Sequence, residues 1–156
     1  MRFLLLLFSV GLLISSPTTA YSGNATNDIP DMISFITTCT SISVARVRNP
    51  NSSDTSAKSS YHYSDFYELD RIQMSNVRSI LSDSSSYDSG SKCILMPGYA
   101  IRFSKGKQTM EVLYCFGCKD FIATVIGKEE IAHGGFRSIA GNLIQFFGTI
   151  PLGEPK

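Results

Sequence analysis

Four cysteines are the residues of this chain whose chemistry is most easily specified from the sequence. They are Cys39, Cys93, Cys115 and Cys118, and the last two form a Cys-x-x-Cys pattern. In an oxidising compartment, an even number of cysteines indicates disulfides, each of which stabilises a domain by about 2–4 kcal/mol. Cysteines at this spacing could instead exchange thiols with disulfides or bind zinc. Three kinds of site therefore stay open.

Thiol–disulfide exchange requires an activated thiolate, commonly at the N-terminus of a helix. The residues after Cys118, 119–125, are mostly apolar or β-branched and predict a strand. The helix dipole that would activate the pair is therefore not expected. Cys115 and Cys118 remain the candidate catalytic residues of this alternative.

A zinc site usually combines two close pairs of ligands, and this chain has only one such pair. Cys93, Cys115 and Cys118 are candidate ligands, but a fourth would have to come from an isolated residue: Cys39, His62 or His133. We therefore predict no cofactor and keep a zinc-binding module as an alternative.

Familiar catalytic motifs are missing from the sequence: it has no Gly-x-Ser-x-Gly, no phosphate-binding Gly-rich loop and no His-Glu-x-x-His. His62 and His133 could act as general bases, but a histidine alone does not indicate catalysis. We expect a non-enzymatic domain with a binding or structural role, while enzyme activity stays uncertain.

The first twenty residues have the pattern of a signal peptide. Arg2 is basic, residues 3–14 are almost continuously apolar, and Ala20 ends a run of small residues that suits a signal peptidase. The apolar run is shorter than the roughly 20 residues that span a bilayer. We expect cleavage after Ala20, export to the periplasm or the exterior, and no stable membrane span after cleavage. An uncleaved anchor is the alternative.

The charges predict an almost neutral mature chain. The 156 residues include 14 Lys and Arg and 13 Asp and Glu, and cleavage removes one base. Balanced, scattered charges exclude the basic footprint of a nucleic-acid-binding protein; a protein partner stays open. We divide the chain into signal peptide 1–20, a flexible leading segment 21–32, a single α+β domain 33–151 and a tail 152–156.

Periodicity predicts the first elements of the domain. Residues 42–48 alternate as a half-buried strand does, and the aromatic-rich residues 61–69 predict a second strand. The Ser-rich residues 49–60 between them predict a loop. Apolar residues at helical spacing then predict an amphipathic helix over 70–83, with Asp70 as its N-cap.

Residues 93–116 predict an antiparallel hairpin with its turn at 104–107, because the large apolar residues within each arm share one parity, odd in the first arm and even in the second. A register in which paired residue numbers sum to 211 places Ile101 opposite Met110. A slip by one residue would turn the apolar side chains away from their partners.

The same register places Cys93 opposite Cys118, within reach of a cross-strand disulfide. A bulge at Pro97-Gly98 would bring Cys115 closer to Cys93 instead. The sequence therefore predicts a Cys93–Cys118 disulfide, with Cys93–Cys115 as the alternative.

The C-terminal part predicts a further strand at 121–126 and an amphipathic helix over 136–147. His133 then lies in the loop that precedes the helix. The expected fold is α+β, with an antiparallel sheet of about five strands and two amphipathic helices packed on one face. The predicted order is β-β-α-β-β-β-α.

The hairpin region resembles a group of small exported bacterial proteins of unknown function. The shared pattern is Cys-x3-Pro, then Ala-Ile/Leu-Arg, then Cys-Phe-x-Cys, carried here by Cys93, Pro97, 100–103 and 112–118. Cys39 lies outside it. The resemblance implies bacterial export and a common α+β domain, and it assigns no activity, substrate or cofactor.

Overall fold

The computed structural model describes residues 29–48, 61–91, 95–128 and 130–156. Within these ranges, three α-helices and seven β-strands form an α+β fold, with two strands and one helix more than predicted. In chain order they are α1 (Ile29–Thr38), β1 (Ser41–Arg48), β2 (His62–Tyr63), β3 (Tyr67–Glu68), α2 (Arg71–Leu81), β4 (Tyr99–Lys105), β5 (Gln108–Cys115), β6 (Asp120–Val125), β7 (Glu130–Gly135) and α3 (Ala140–Gly148). The predicted signal peptide with its cleavage site at Ala20, the loop 49–60 and Cys93 lie outside the described residues.

The strands form an antiparallel sheet in the order β2-β1-β4-β5-β6-β7. β2 pairs with the C-terminal end of β1, and β3 pairs with the same strand nearer its N-terminal end. The predicted strand 61–69 is therefore two short strands. Between them, the Ser64 hydroxyl accepts a hydrogen bond from Arg46 N at 3.0 Å. Ser64 N donates to Arg46 O at 3.0 Å, so one backbone bond to β1 remains and the side chain supplies the other.

The predictions for β1 and α2 are confirmed. β1 alternates between buried and partly exposed residues along most of its length. Asp70 is the N-cap of α2, and its carboxylate accepts from Gln73 N at 2.8 Å. The Gln73 side chain accepts from Asp70 N in return at 3.0 Å. This capping box satisfies two amides that the start of a helix leaves unpaired.

The hairpin β4–β5 forms, but its predicted register is wrong by two residues. Ile101 lies opposite Val112 and Phe103 opposite Met110, so that paired numbers sum to 213. The reason lies in the two-residue turn, where Gly106 has a φ of 59° at the first central position, as a type II′ turn requires. A shift of two keeps the same side chains on the buried face.

The corrected register also removes the strand-pairing argument for the disulfide. β5 ends at Cys115, and residues 116–119 form the turn into β6. Cys118 therefore lies in a turn, and the ladder does not place it opposite Cys93.

Two elements, α1 and β7, are absent from the predicted order. α1 includes residues 29–32, which were expected in the flexible leading segment, and its Met32 and Ile36 are fully buried. β7 occupies the region expected as a loop and places His133 opposite Ile122 of β6. The last helix begins at Ala140, after a turn that still buries Phe136 and Ile139.

One apolar core joins the three helices to one face of the sheet. Its large, fully buried side chains come from the sheet, from all three helices and from the segment before α3, and they include Tyr114, Phe103, Phe121, Phe136, Met32, Ile36, Leu81 and Leu143. Among the described helices, none combines the length and the apolar character that a bilayer span requires.

Candidate functional site

A pocket of ≈ 230 Å³ lies beside β6 and β7, at the edge of the sheet. Leu95, Phe121 and Ile122 give it an apolar lining. Its polar lining includes Ser91, Asp120, Glu130 and His133, which are far apart in the sequence. An apolar concavity with a few convergent polar groups is the usual form of a ligand site.

One wall of the pocket is a strap, which we define as residues 88–91. Asp88 N donates to Gly135 O at 3.1 Å, and Gly135 N donates to Asp88 O at 2.9 Å. A Cβ atom on Gly135 would collide with the Asp88 side chain, and one on Gly134 would lie 2.6 Å from Asp88 O. The two glycines therefore permit the strap to approach β7.

Asp120 holds the other end of the strap. Its carboxylate is 7% exposed; Oδ1 accepts from Ser91 N at 2.9 Å and Oδ2 accepts from Ser91 Oγ at 2.5 Å. Hydrogen bonds to an ionised acceptor are stronger than neutral ones. The first residue of β6 thus fixes the wall of the pocket.

His133 and Glu130 form a pair on β7, in which Nδ1 of the imidazole lies 3.0 Å from Oε1 of the carboxylate. Both side chains are partly exposed. A carboxylate in this position orients the ring and favours a proton on Nδ1. The pair could bind a polar group or accept a proton.

Cys39 and Cys115 are free thiols, and both are buried. Cys115, 2% exposed, ends β5, and Cys118 N lies within 3.5 Å of its sulfur. The strand predicted after Cys118 is confirmed as β6, so no helix begins at this pair. A buried sulfur without a helix N-terminus is poorly placed for thiol–disulfide exchange.

The predicted disulfide and zinc site both depend on Cys93, which lies outside the described residues. Cys93–Cys118, its alternative Cys93–Cys115, and zinc on Cys93, Cys115 and Cys118 therefore remain predictions. Within the described ranges, no group of three or more His, Cys, Asp or Glu could hold a metal ion.

The three candidates for a fourth zinc ligand lie in different parts of the described fold. Cys39 follows α1 and is buried, whereas His62 is exposed on β2. His133 lies on β7, in the pocket.

Sequence reasoning considered His133 but missed Ser91, Asp120 and Glu130 as partners. These side chains are brought together by two tertiary contacts, the pairing of β6 with β7 and the contact of the strap with both strands. Neither contact has a local sequence pattern. The adjacent Gly134 and Gly135 were the available signal, because paired glycines in a strand indicate close approach of another backbone.

The chain matches no protein-family model, and no curated protein or solved structure gives a significant match to it. The pocket geometry is consequently the basis for a functional proposal.

Proposed function

We propose that this chain is an exported, non-enzymatic binding domain whose pocket takes a small ligand with a protonated amine and an apolar portion. The main support for this proposal is the set of side chains that line the pocket. In its described lining, Asp120 and Glu130 carry carboxylates, His133 carries an imidazole, and Leu95, Phe121 and Ile122 are apolar.

Two carboxylates in a concave site produce a negative potential, which low-dielectric walls strengthen. A carboxylate offers about four acceptor positions. Glu130 can therefore accept from an ammonium group while one of its oxygens contacts His133. The volume of ≈ 230 Å³ is below the roughly 300 Å³ at which pockets for drug-sized ligands begin, which favours a small molecule.

The non-enzymatic role is supported by the burial of Cys115 and by the strand, rather than a helix, that follows Cys118. Export is supported by the signal-peptide pattern that ends at Ala20 and by the resemblance to small exported bacterial proteins. The proposed location is the periplasm or the exterior. Intact-mass measurement of the protein from its native host tests this, because cleavage after Ala20 predicts a mature chain that begins at Tyr21.

Ligand class is tested by titrating the mature protein with butylamine, butanol and butyrate while recording amide NMR spectra. We expect butylamine to shift the amides of Ser91, Ile122 and Gly134, and butyrate to leave them unchanged. Stronger binding of butyrate than of butylamine would contradict the proposal. A titration in which butylamine shifts only amides outside the pocket would also contradict the proposal.

Glu130→Gln should weaken butylamine binding by about tenfold, because the charge of the carboxylate is lost. Glu68→Gln is the matched control, since Glu68 is an exposed carboxylate on β3 and does not line the pocket. Equal weakening in both variants would indicate a general effect of net charge.

A further inference from the structure

A second concavity, a groove of ≈ 630 Å³, lies toward the opposite edge of the sheet from the pocket. Arg46 and Arg48 of β1, Tyr99 of β4, and Glu154 line it. Residues 152–156, expected as a tail, are therefore in contact with the domain.

The residues that follow α3 make a further contact with the domain. Lys156 Nζ lies 2.8 and 2.9 Å from the carboxylate oxygens of Asp65, and Lys156 N donates to Tyr63 O at 3.3 Å. Tyr99 is packed in turn, with its ring stacked on Phe147 at a centroid distance of 4.2 Å. The Tyr99 wall of the groove is therefore backed by the core.

The described charges of the groove are unbalanced. Arg46 Nη1 donates to Glu154 Oε1 at 2.7 Å, whereas Arg48 makes no ion pair among the described residues. Two guanidinium groups therefore face one carboxylate. The Glu154 side chain is 82% exposed, so its ion pair with Arg46 is weakly held against solvent.

Glu154 uses only part of the Arg46 guanidinium. Guanidinium groups match an oxyanion through two parallel hydrogen bonds, but Glu154 meets Arg46 through Nη1 alone.

We propose that this groove is an anion-binding site for a ligand with a carboxylate or phosphate group, and that Glu154 occupies it as an internal substitute. An oxyanion can pair with both Nη1 and Nη2 of Arg46 and contact Arg48. The Glu154 side chain, already largely exposed, then turns into solvent. This site is separate from the amine pocket and does not depend on it.

The proposal is tested on the mature protein by titration with inorganic phosphate and with acetate at low ionic strength, followed by amide NMR. Glu154→Gln should bind at least one of these anions about tenfold more tightly than the wild type, because the internal competitor is neutral. Tighter binding of phosphate alone identifies a phosphate ligand, and tighter binding of acetate alone identifies a carboxylate ligand. Shifts should centre on Arg46, Gly98 and Tyr99.

Arg46→Lys keeps the charge and removes the two-pronged donor, so it should lose most of the affinity gained in the Glu154→Gln background. Arg137→Gln is the control, since Arg137 pairs with Asp88 beside the pocket and not in the groove. Unchanged affinity in Glu154→Gln would overturn the proposal. So would equal loss of affinity in the Arg46 and Arg137 variants.

Discussion

Arg78 of α2 donates a hydrogen bond to the carbonyl oxygen of Cys39, the residue that follows the last turn of α1. The same guanidinium nitrogen lies 3.3 Å from the Cys39 sulfur. The last carbonyls of a helix lack partners within the helix, and a cation there also complements the helix dipole. One side chain thus joins the end of α1 to α2.

Arg78→Met should lower the free energy of unfolding by about 1–2 kcal/mol, because it keeps the apolar stem but removes the donor and the charge. Urea denaturation measures the change. Arg71→Met, at the exposed start of α2, is the control and should change stability much less. An equal effect of the two substitutions would show that the contact with Cys39 is unimportant.

Gly135→Ala should destabilise the protein by about 1–3 kcal/mol, because the new methyl group collides with the Asp88 side chain and displaces the strap. Gly141→Ala is the matched control. Its Cβ would meet no atom within 4 Å, and alanine favours the helix. Thermal melting of both variants checks this, and a stable Gly135 variant with unchanged Ser91 and Asp88 amide shifts would contradict it.

Tyr114→Phe should raise the free energy of unfolding by about 1 kcal/mol. The Tyr114 hydroxyl is fully buried and has no hydrogen-bond partner among the described residues, so its desolvation is uncompensated. Tyr87→Phe should have the opposite sign, because the Tyr87 hydroxyl donates to Leu81 O at 2.8 Å. Denaturation curves that move in the same direction for both variants would refute the assignment.

Stability should fall above about pH 10, where a tyrosine in the unfolded chain begins to ionise. Burial raises the pKa of Tyr87 and Tyr114 above the usual value, and burial together with the Glu111 carboxylate raises the pKa of Tyr63. When the pKa of a tyrosine is higher in the folded protein than in the unfolded chain, its neutral form contributes fully to the free energy of unfolding below the unfolded-state pKa. That contribution is lost as the pH rises toward the folded-state pKa. Urea denaturation at pH 8 to 11 should show this decline, and Tyr87→Phe should make it shallower.

Non-reducing peptide mapping should find Cys93 linked to Cys118, with Cys39 and Cys115 as free thiols. The burial and free state of Cys115 favour Cys118 as the partner of Cys93. Cys93→Ser should then lower stability by about 2–4 kcal/mol, well beyond the effect of Cys39→Ser. A crosslink that contains Cys115, or equal melting temperatures for the two variants, would refute this pairing.

The sequence predicted correctly those elements that are specified by a pattern of a few neighbouring residues. The alternation of 42–48 and the cap at Asp70 both correspond to the observed elements. The hairpin face was also predictable, but the register was not. Gly106 fits either position of a two-residue turn, and only the choice of turn type fixes the pairing.

The remaining elements depend on tertiary contacts. α1 is short, and its helical state is stabilised by burial of Met32 and Ile36. β7 contains two glycines, which have low strand propensity, and it forms because β6 and the strap pair with it. The candidate site was unpredictable for the same reason, since Ser91, Asp120 and His133 meet only after these pairings.

The sheet order has a consequence for the sequence of events during folding. β4, β5, β6 and β7 are neighbours both in the chain and in the sheet, so each pairing closes a short loop. β1 pairs with β4 across a long intervening chain, and loop closure makes such contacts slower to form. We therefore expect the four consecutive strands to nucleate first and β1 to dock later. Pulse-labelled hydrogen exchange during refolding would then protect the amides of Val112 and Ile122 before that of Val44.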